Sequence, residues 1–288
     1  MADDRPARRG SSVTKIAITG VTGNFGRIVI EDLLTGISPG DLVAVARTPG
    51  KAADLTGRGV EVRRGDYDDP ASLDTAFEGV DLLLLVSGSD LTPGVRVVQH
   101  RTVVERAAKA GVRRIVYTSA IGAESGQGSS ADHAATEKMI GESGLTYTVL
   151  RNTLYSEAFV GTALAQANET GEVVSSTAGR PLNTARLRDL ALAAGAVLSG
   201  SGHDNATYEL RGPLWTYPEL AEALAKVLRR PVTYREVTDA EAGRLGSLFP
   251  MVRAGAFSQT APDLSRLLGR PATGLEDTVA AFIERVGA

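Results

Sequence analysis

The residues best suited to chemistry lie near the start of the chain, in the run TGVTGNFG at 19–26. Three glycines at this spacing, between an apolar run and an amphipathic one, form a phosphate cradle. Gly20 permits a tight turn, Gly23 lets backbone approach a pyrophosphate, and Gly26 lets a helix pack closely on the preceding strand. Amides at the helix start, around Thr22, Asn24 and Phe25, would then face the phosphates with the helix dipole behind them. About 20 residues further on, a dinucleotide fold that prefers NAD carries Asp or Glu for the ribose diol. This chain has Ala46, followed by Arg47, Thr48 and, at one remove, Lys51. A guanidinium there can grip a 2′-phosphate and stack on adenine. The expected cofactor is therefore NADP(H), with Arg47 as the main determinant and Lys51 in support.

Composition removes other chemistries. The 288 residues include no Cys and only three His, at His100, His133 and His203, without metal-ligand spacing. Thiolate nucleophiles, disulfides and thiolate metal sites are thus absent, and no metal is expected. A net charge of −3 offers no basic excess for nucleic acid or an anionic membrane surface. The longest apolar stretches, Leu82–Val86 and Leu190–Leu198, fall well short of the ~18 residues that suggest a membrane span. The opening residues carry mixed charge and no apolar segment of the secretory type, so 1–13 read as a disordered tail and the protein as cytoplasmic.

The elements that must position these residues follow one rhythm. Apolar runs at Lys15–Thr19, Leu42–Ala46, Val60–Arg63, Leu82–Val86, Ile115–Thr118 and Tyr147–Leu150 read as strands. Helical stretches at Arg27–Leu34, Leu73–Phe77, Val95–Ala110 and His133–Ser143 separate them, and Gly111 and Gly144 stand where helix C-caps belong. Alternation of this kind implies an α/β fold, a Rossmann-type doubly wound parallel sheet. Residues 14–153 form the expected NAD(P)-binding domain. Residues 154–288 form a smaller C-terminal substrate lobe, with pieces such as Tyr208–Arg211 returning to the sheet. Capping boxes at Thr216–Glu219 and Thr273–Glu276 open two helices of that lobe, the second with Val279, Phe282 and Val286 on one face.

The runs VARTPGKAADL (45–55), GDYDDPASLDTAFEGVDLLLLVSGSD (65–90), AAKAGVRRIVYTSAIGA (107–123) and HAATEKMIGESGLTYTVLRNTLYSE (133–157) add a resemblance. With the glycine run, they make the chain similar to the atypical short-chain dehydrogenase/reductase superfamily. Within it, the chain resembles the NmrA-like group and its type 2 NAD(P)H:quinone oxidoreductases. The resemblance implies roles position by position. Asp66 and Tyr67 would lie against the adenine, and Ser87 and Gly88 along the ribose and pyrophosphate path. Thr118 and Ser119 would face the nicotinamide, Lys138 would donate to its ribose, and Arg151, Asn152 and Thr153 would flank its carboxamide. Ser119, Lys138 and Tyr155 are the candidate catalytic residues, with Ile121 beside them in the substrate pocket.

Many short-chain reductases protonate a carbonyl with a Tyr four residues before the Lys. Four before Lys138 is Ala134. Serine alone is a poor general acid, and losing the acid costs a ketone reductase about 10²–10⁴-fold. A quinone tolerates the loss because its anion is delocalised and water can supply the proton. His133 or Tyr155 could still donate if either points inward. The reading is hydride transfer from NADPH to an aromatic or quinone-like small molecule. Two alternatives stand beside it: an NADP(H)-binding redox sensor without catalysis, and a tailoring ketoreductase of secondary metabolism. Whether the chain forms a homodimer stays open.

Overall fold

The computed structural model describes residues 14–90, 92–126 and 130–287. The tail expected at 1–13 lies outside the described residues. In chain order the elements are β1 (Ile16–Thr19), α1 (Asn24–Leu33), β2 (Leu42–Ala46), α2 (Ala53–Thr56), β3 (Glu61–Arg64), α3 (Pro70–Ala76), β4 (Leu82–Leu85), α4 (Val95–Lys109), β5 (Arg114–Ala120), α5 (Ala131–Glu142) and β6 (Thr146–Asn152). There follow α6 (Ser156–Thr170), β7 (Glu172–Ser175), β8 (Leu182–Asn183), α7 (Leu187–Ser199), β9 (Ala206–Leu210), β10 (Leu214–Trp215), α8 (Tyr217–Leu228), β11 (Thr233–Glu236), α9 (Phe249–Arg253), α10 (Asp263–Leu268) and α11 (Leu275–Gly287).

Seven strands form one parallel sheet in the order β3-β2-β1-β4-β5-β6-β9. The strand order reverses beside β1, which opens a crevice at the carboxyl ends of β1 and β4, where such sheets bind ligands. Side-chain alternation divides the strand residues between two cores. Ile16, Ile18, Leu42, Ala44, Leu82 and Leu84 join α1 and α7 on one face. Ala17, Val43, Val45, Leu83 and Leu85 join α3 and α4 on the other. Burial on both faces explains why β1, β2 and β4 are apolar at every inner position. Gly111 and Gly144 take φ of +79° where α4 and α5 end, a conformation without penalty only for glycine.

A third core gathers the later segments. Phe159, Trp215, Tyr217, Leu220 and Phe249 are buried together, with ring centroids 5.3–5.8 Å apart along the aromatic chain. The capping box at Thr216–Glu219 is formed. The one expected at Thr273–Glu276 is replaced: the Thr273 N–H donates to the buried carboxylate of Asp189 at 2.7 Å, and Glu276 pairs with Lys226. Val279 is buried on α11, whereas Val286 is 55% exposed and leaves the expected apolar face. Among the described residues, no helix is long and apolar enough to cross a membrane, and no side-chain cluster could hold a metal ion.

Candidate active site

The glycine run folds as its spacing requires. Gly20 has φ of +65°, and α1 begins at Asn24, inside the motif. A Cβ on Gly26 would sit 2.6 Å from the Gly20 carbonyl oxygen and 2.9 Å from that of Thr19, so only glycine fits there. Gly23 caps the helix without a side-chain hydrogen bond, and the first turn carries no acidic residue. The first amides of α1 are therefore free to donate. Thr22, Gly23 and Asn24 are exposed. Phe25 is not: its ring is buried in the core, and only its backbone can serve a phosphate.

Arg47 and Lys51 sit just beyond β2, both exposed, and neither side chain makes a hydrogen bond or ion pair among the described residues. Other arginines nearby are committed: Arg27 to Glu31 and Asp54, Arg58 to Glu31, and Arg64 to Asp69. Two unpaired cations at the tip of the second strand, beside an open amide cradle, fit an adenosine carrying an extra phosphate.

Tyr67 is a brace. Its hydroxyl lies 2.6 Å from Thr19 Oγ1 and 2.8 Å from Val86 O, tying the loop after β3 to β1 and β4. Burial pushes its pKa well up, so the phenol stays protonated. Asp66 closes the adjoining turn, accepting from the Asp68 N–H at 3.2 Å. Gly88 is pinned from α4. Its N–H donates to His100 Nε2 at 2.9 Å, and its carbonyl accepts from Arg96 Nε at 2.9 Å. His100 is fully buried, and burial holds its pKa down at about 3. Since Nε2 accepts, the ring is neutral with its proton on Nδ1, facing Thr136 Oγ1 at 2.9 Å.

At the carboxyl ends of β5 and β6 a cavity of about 710 Å³ opens. Its polar floor includes Ser87, Ser119, His133, Asn152 and Thr153, and its apolar wall includes Ile121, Leu248, Met251 and Phe257. Tyr155 stands at the rim, 39% exposed. Packing around its hydroxyl raises the pKa, while the neighbouring Asn152 side chain pulls it down.

Three expectations from the sequence are corrected. Lys138 does not face this cavity. It lies on the outer side of α5, its side chain 75% exposed and 3.9 Å from Glu142. The inner face carries His133, Thr136, Glu137 and Ile140, so the inward pair spaced by four is His133 and Glu137 rather than Ala134 and Lys138. Thr118 alternates away from the cavity and is buried, with its Oγ1 accepting from the Ser87 N–H at 2.8 Å. Arg151 does not line the cavity either. Its guanidinium is held by Glu137 (2.8 Å), Glu209 (3.1 Å) and Glu124 (3.2 Å).

Glu137 is the residue that the sequence reading missed. Its carboxylate accepts from Ser119 Oγ at 2.5 Å and from Arg151 Nε and Nη2 at 3.1 and 2.8 Å. The signal was available, because His133, Thr136 and Ile140 recur at helical spacing and place 137 between them. His133 is buried as well. Tyr117 OH lies 2.7 Å from its Nδ1 and Arg96 Nη1 3.3 Å from its Nε2. A guanidinium only donates, so Nε2 is unprotonated. Burial first, and the Arg96 charge second, hold His133 down to about 4.

A glycine cradle at the head of a doubly wound sheet, unpaired cations beyond β2 and a cavity at the strand ends define a pyridine-dinucleotide-binding reductase fold. The chain belongs to the NAD(P)H-binding family, whose model matches residues 20–196. It is 38% identical to quinone oxidoreductase 2 of Escherichia coli over 92% of this chain and 97% of that one. The crystal structure of that NADPH-dependent enzyme in complex with NADPH superposes with a TM-score of 0.84, at 37% identity over 93% of this chain and 99% of that one. The Citrobacter sp. triphenylmethane reductase complexed with NADP(H) gives a TM-score of 0.88, at 36% identity over 93% and 99%. The resemblance to the type 2 quinone oxidoreductases, read from the motifs, holds across nearly the whole chain.

Proposed function

We propose that this protein is an NADPH-dependent oxidoreductase that reduces electron-poor aromatic acceptors of the quinone type. One observation carries the choice of acceptor: among the described residues, no dedicated proton donor stands free at the site. The Ser119 hydroxyl already donates to Glu137 at 2.5 Å. His133 is neutral and engaged at both ring nitrogens, and Lys138 points to solvent. Burial of the Tyr155 hydroxyl raises its pKa, which makes it a weaker proton donor than an ordinary tyrosine. A simple ketone would need such an acid, whereas a quinone takes its proton from water.

When bound, the reduced nicotinamide supplies a hydride. The chain supplies position and dryness. Amides of α1 hold the pyrophosphate, and Arg47 with Lys51 holds the 2′-phosphate. The loop of Ser87 and Gly88, fixed by His100 and Arg96, lines the path toward Ser119. Ser119 Oγ, its proton directed at Glu137, presents lone pairs and accepts from a ligand N–H. Leu248, Met251 and Phe257 cover an acceptor ring from the opposite side.

The test is NADPH oxidation with benzoquinones against simple ketones, run in parallel with NADH. Quinone turnover with preference for NADPH supports the reading, and turnover of ketones alone overturns it. Tight NADPH binding without oxidation across the panel would instead mark a binding-only sensor.

A further inference from the structure

Among the described residues that line the cavity, two buried side-chain polar atoms have no hydrogen-bond partner: Nη1 of Arg211 and Oδ1 of Asn152. Their side chains are only 7% and 6% exposed, and both residues line the cavity. An unsatisfied buried group costs about 1–3 kcal/mol, more when charged, so a pair of them at one cavity points to a ligand.

Strand register brings their backbones to the same end of the sheet. In the parallel pairing of β6 with β9, Asn152 lies opposite Leu210, and Arg211 is the next residue out. The Arg211 guanidinium cannot turn away. Its Nη2 donates to Glu209 Oε2 at 3.0 Å, Glu209 Oε1 accepts from Arg151 at 3.1 Å, and Arg151 is anchored by Glu137. The bridge to Glu209 balances the charge and leaves Nη1 as a fixed donor in a desolvated place, which is the arrangement that stabilises a developing oxyanion.

We propose that Arg211 Nη1 receives a carbonyl oxygen of the acceptor, with Asn152 Oδ1 accepting from a hydroxyl beside it. Hydroxyquinones, which carry both groups, are the acceptor class that fits. The inference rests on the quinone reading above. In that reaction a carbon–hydrogen bond of the cofactor breaks, and the hydrogen passes with both electrons of that bond to the quinone, where a new bond to hydrogen forms and the cofactor is left oxidised. Negative charge gathers on the oxygen facing Arg211, and one proton from water completes the hydroquinone. Nothing else is consumed.

The experiment titrates 5-hydroxy-1,4-naphthoquinone, whose hydroxyl beside a carbonyl stays protonated at neutral pH, into the full chain saturated with NADP⁺, by calorimetry. Wild type is compared with Arg211→Met and with Arg211→Lys, which keeps a charge for Glu209 but loses the fork. Weakening of about 30-fold or more in Arg211→Met and about tenfold in Arg211→Lys is expected, with NADPH affinity changed less than about threefold. Should Arg211→Met fail to melt cooperatively, the lysine variant decides. Equal affinities in wild type and variants, or no binding to wild type, overturn the proposal. So does a parallel loss of NADPH affinity, which would give these atoms to the cofactor carboxamide. NADPH oxidation in the same samples is read separately. A protein that binds the hydroxyquinone through Arg211 yet oxidises no NADPH refutes the reductase reading and leaves the binding site standing.

Discussion

Replacing Arg47 with Ala gives the sharpest check on cofactor choice, because the structure separates binding from folding at this residue. Arg47 is exposed and has no carboxylate partner among the described residues, so its removal leaves no orphaned charge and should hardly move the melting temperature. Its only work is then on a ligand. A hydrogen bond between a guanidinium and a phosphate is worth roughly 1.5–3 kcal/mol, or about ten- to a hundredfold in affinity. Lys51, four residues on, should retain part of the attraction, which favours the lower end for Arg47→Ala and the upper end for the double variant. NADH lacks the 2′-phosphate, and its affinity should change less than about threefold. The site is open to solvent, so the NADPH preference should also shrink as salt rises and the screening length falls below ~10 Å. The assay is fluorescence titration of both reduced cofactors at low and high ionic strength. Equal losses for NADPH and NADH, or a salt-independent preference, would show that the phosphate is held elsewhere.

Other perturbations follow from distances and burial already described. Gly26→Ala drives a methyl to 2.6 Å from a backbone oxygen, so α1 must shift, lowering stability by about 1–3 kcal/mol and abolishing measurable NADPH binding. Glu137→Gln weakens the hold on Ser119 and Arg151 and should lower quinone turnover at least tenfold, while Lys138→Ala should leave it unchanged; the reverse ranking would restore the lysine to the site. His100 and His133 are neutral when folded, with pKa near 3 and 4 against an ordinary 6.5. The unfolded chain therefore binds more protons below pH 6.5. Stability should fall as pH drops from 6.5 toward 4, by roughly 2–3 kcal/mol per histidine at pH 4.5. Thermal melts across that range should be flatter for His100→Asn than for wild type, and identical slopes would contradict the assignment.

The sheet was legible because its inner strands are buried on both faces. Leu42–Ala46 and Leu82–Leu85 are unbroken apolar runs, and their limits match the strands to within a residue. Beyond them the signal stops where the site begins. β5 and β6 each extend two residues past their apolar stretch, and those extra residues are Ser119, Ala120, Arg151 and Asn152. A strand end that must present polar groups to a cavity cannot also announce itself by hydrophobicity. Side-chain direction was less legible. Thr118 and Ser119 are adjacent and similar in type, yet pleating sends one into the core and the other to the cavity floor. Placing the superfamily lysine at 138 followed residue type, and the helical period of α5 selects 137.

That one-residue difference changes the chemistry available. With lysine inward, the floor would hold a cation able to lower the pKa of a neighbouring hydroxyl and ready it for proton transfer. With glutamate inward, Ser119 becomes a donor to a carboxylate and an acceptor to everything else. The carboxylate in turn fixes Arg151, Glu209 and Arg211 in one line of charge-assisted hydrogen bonds across the ends of β6 and β9. Such a line is rigid, and its hydrogen bonds all end on carboxylate oxygens. Its one buried atom without a partner among the described residues is Nη1 of Arg211, a residue that lines the cavity. A floor of this kind cannot protonate an alkoxide as it forms, but it can hold an oxygen whose negative charge is already spread over a ring. The acceptors it serves are those whose own electronic structure makes the acid unnecessary.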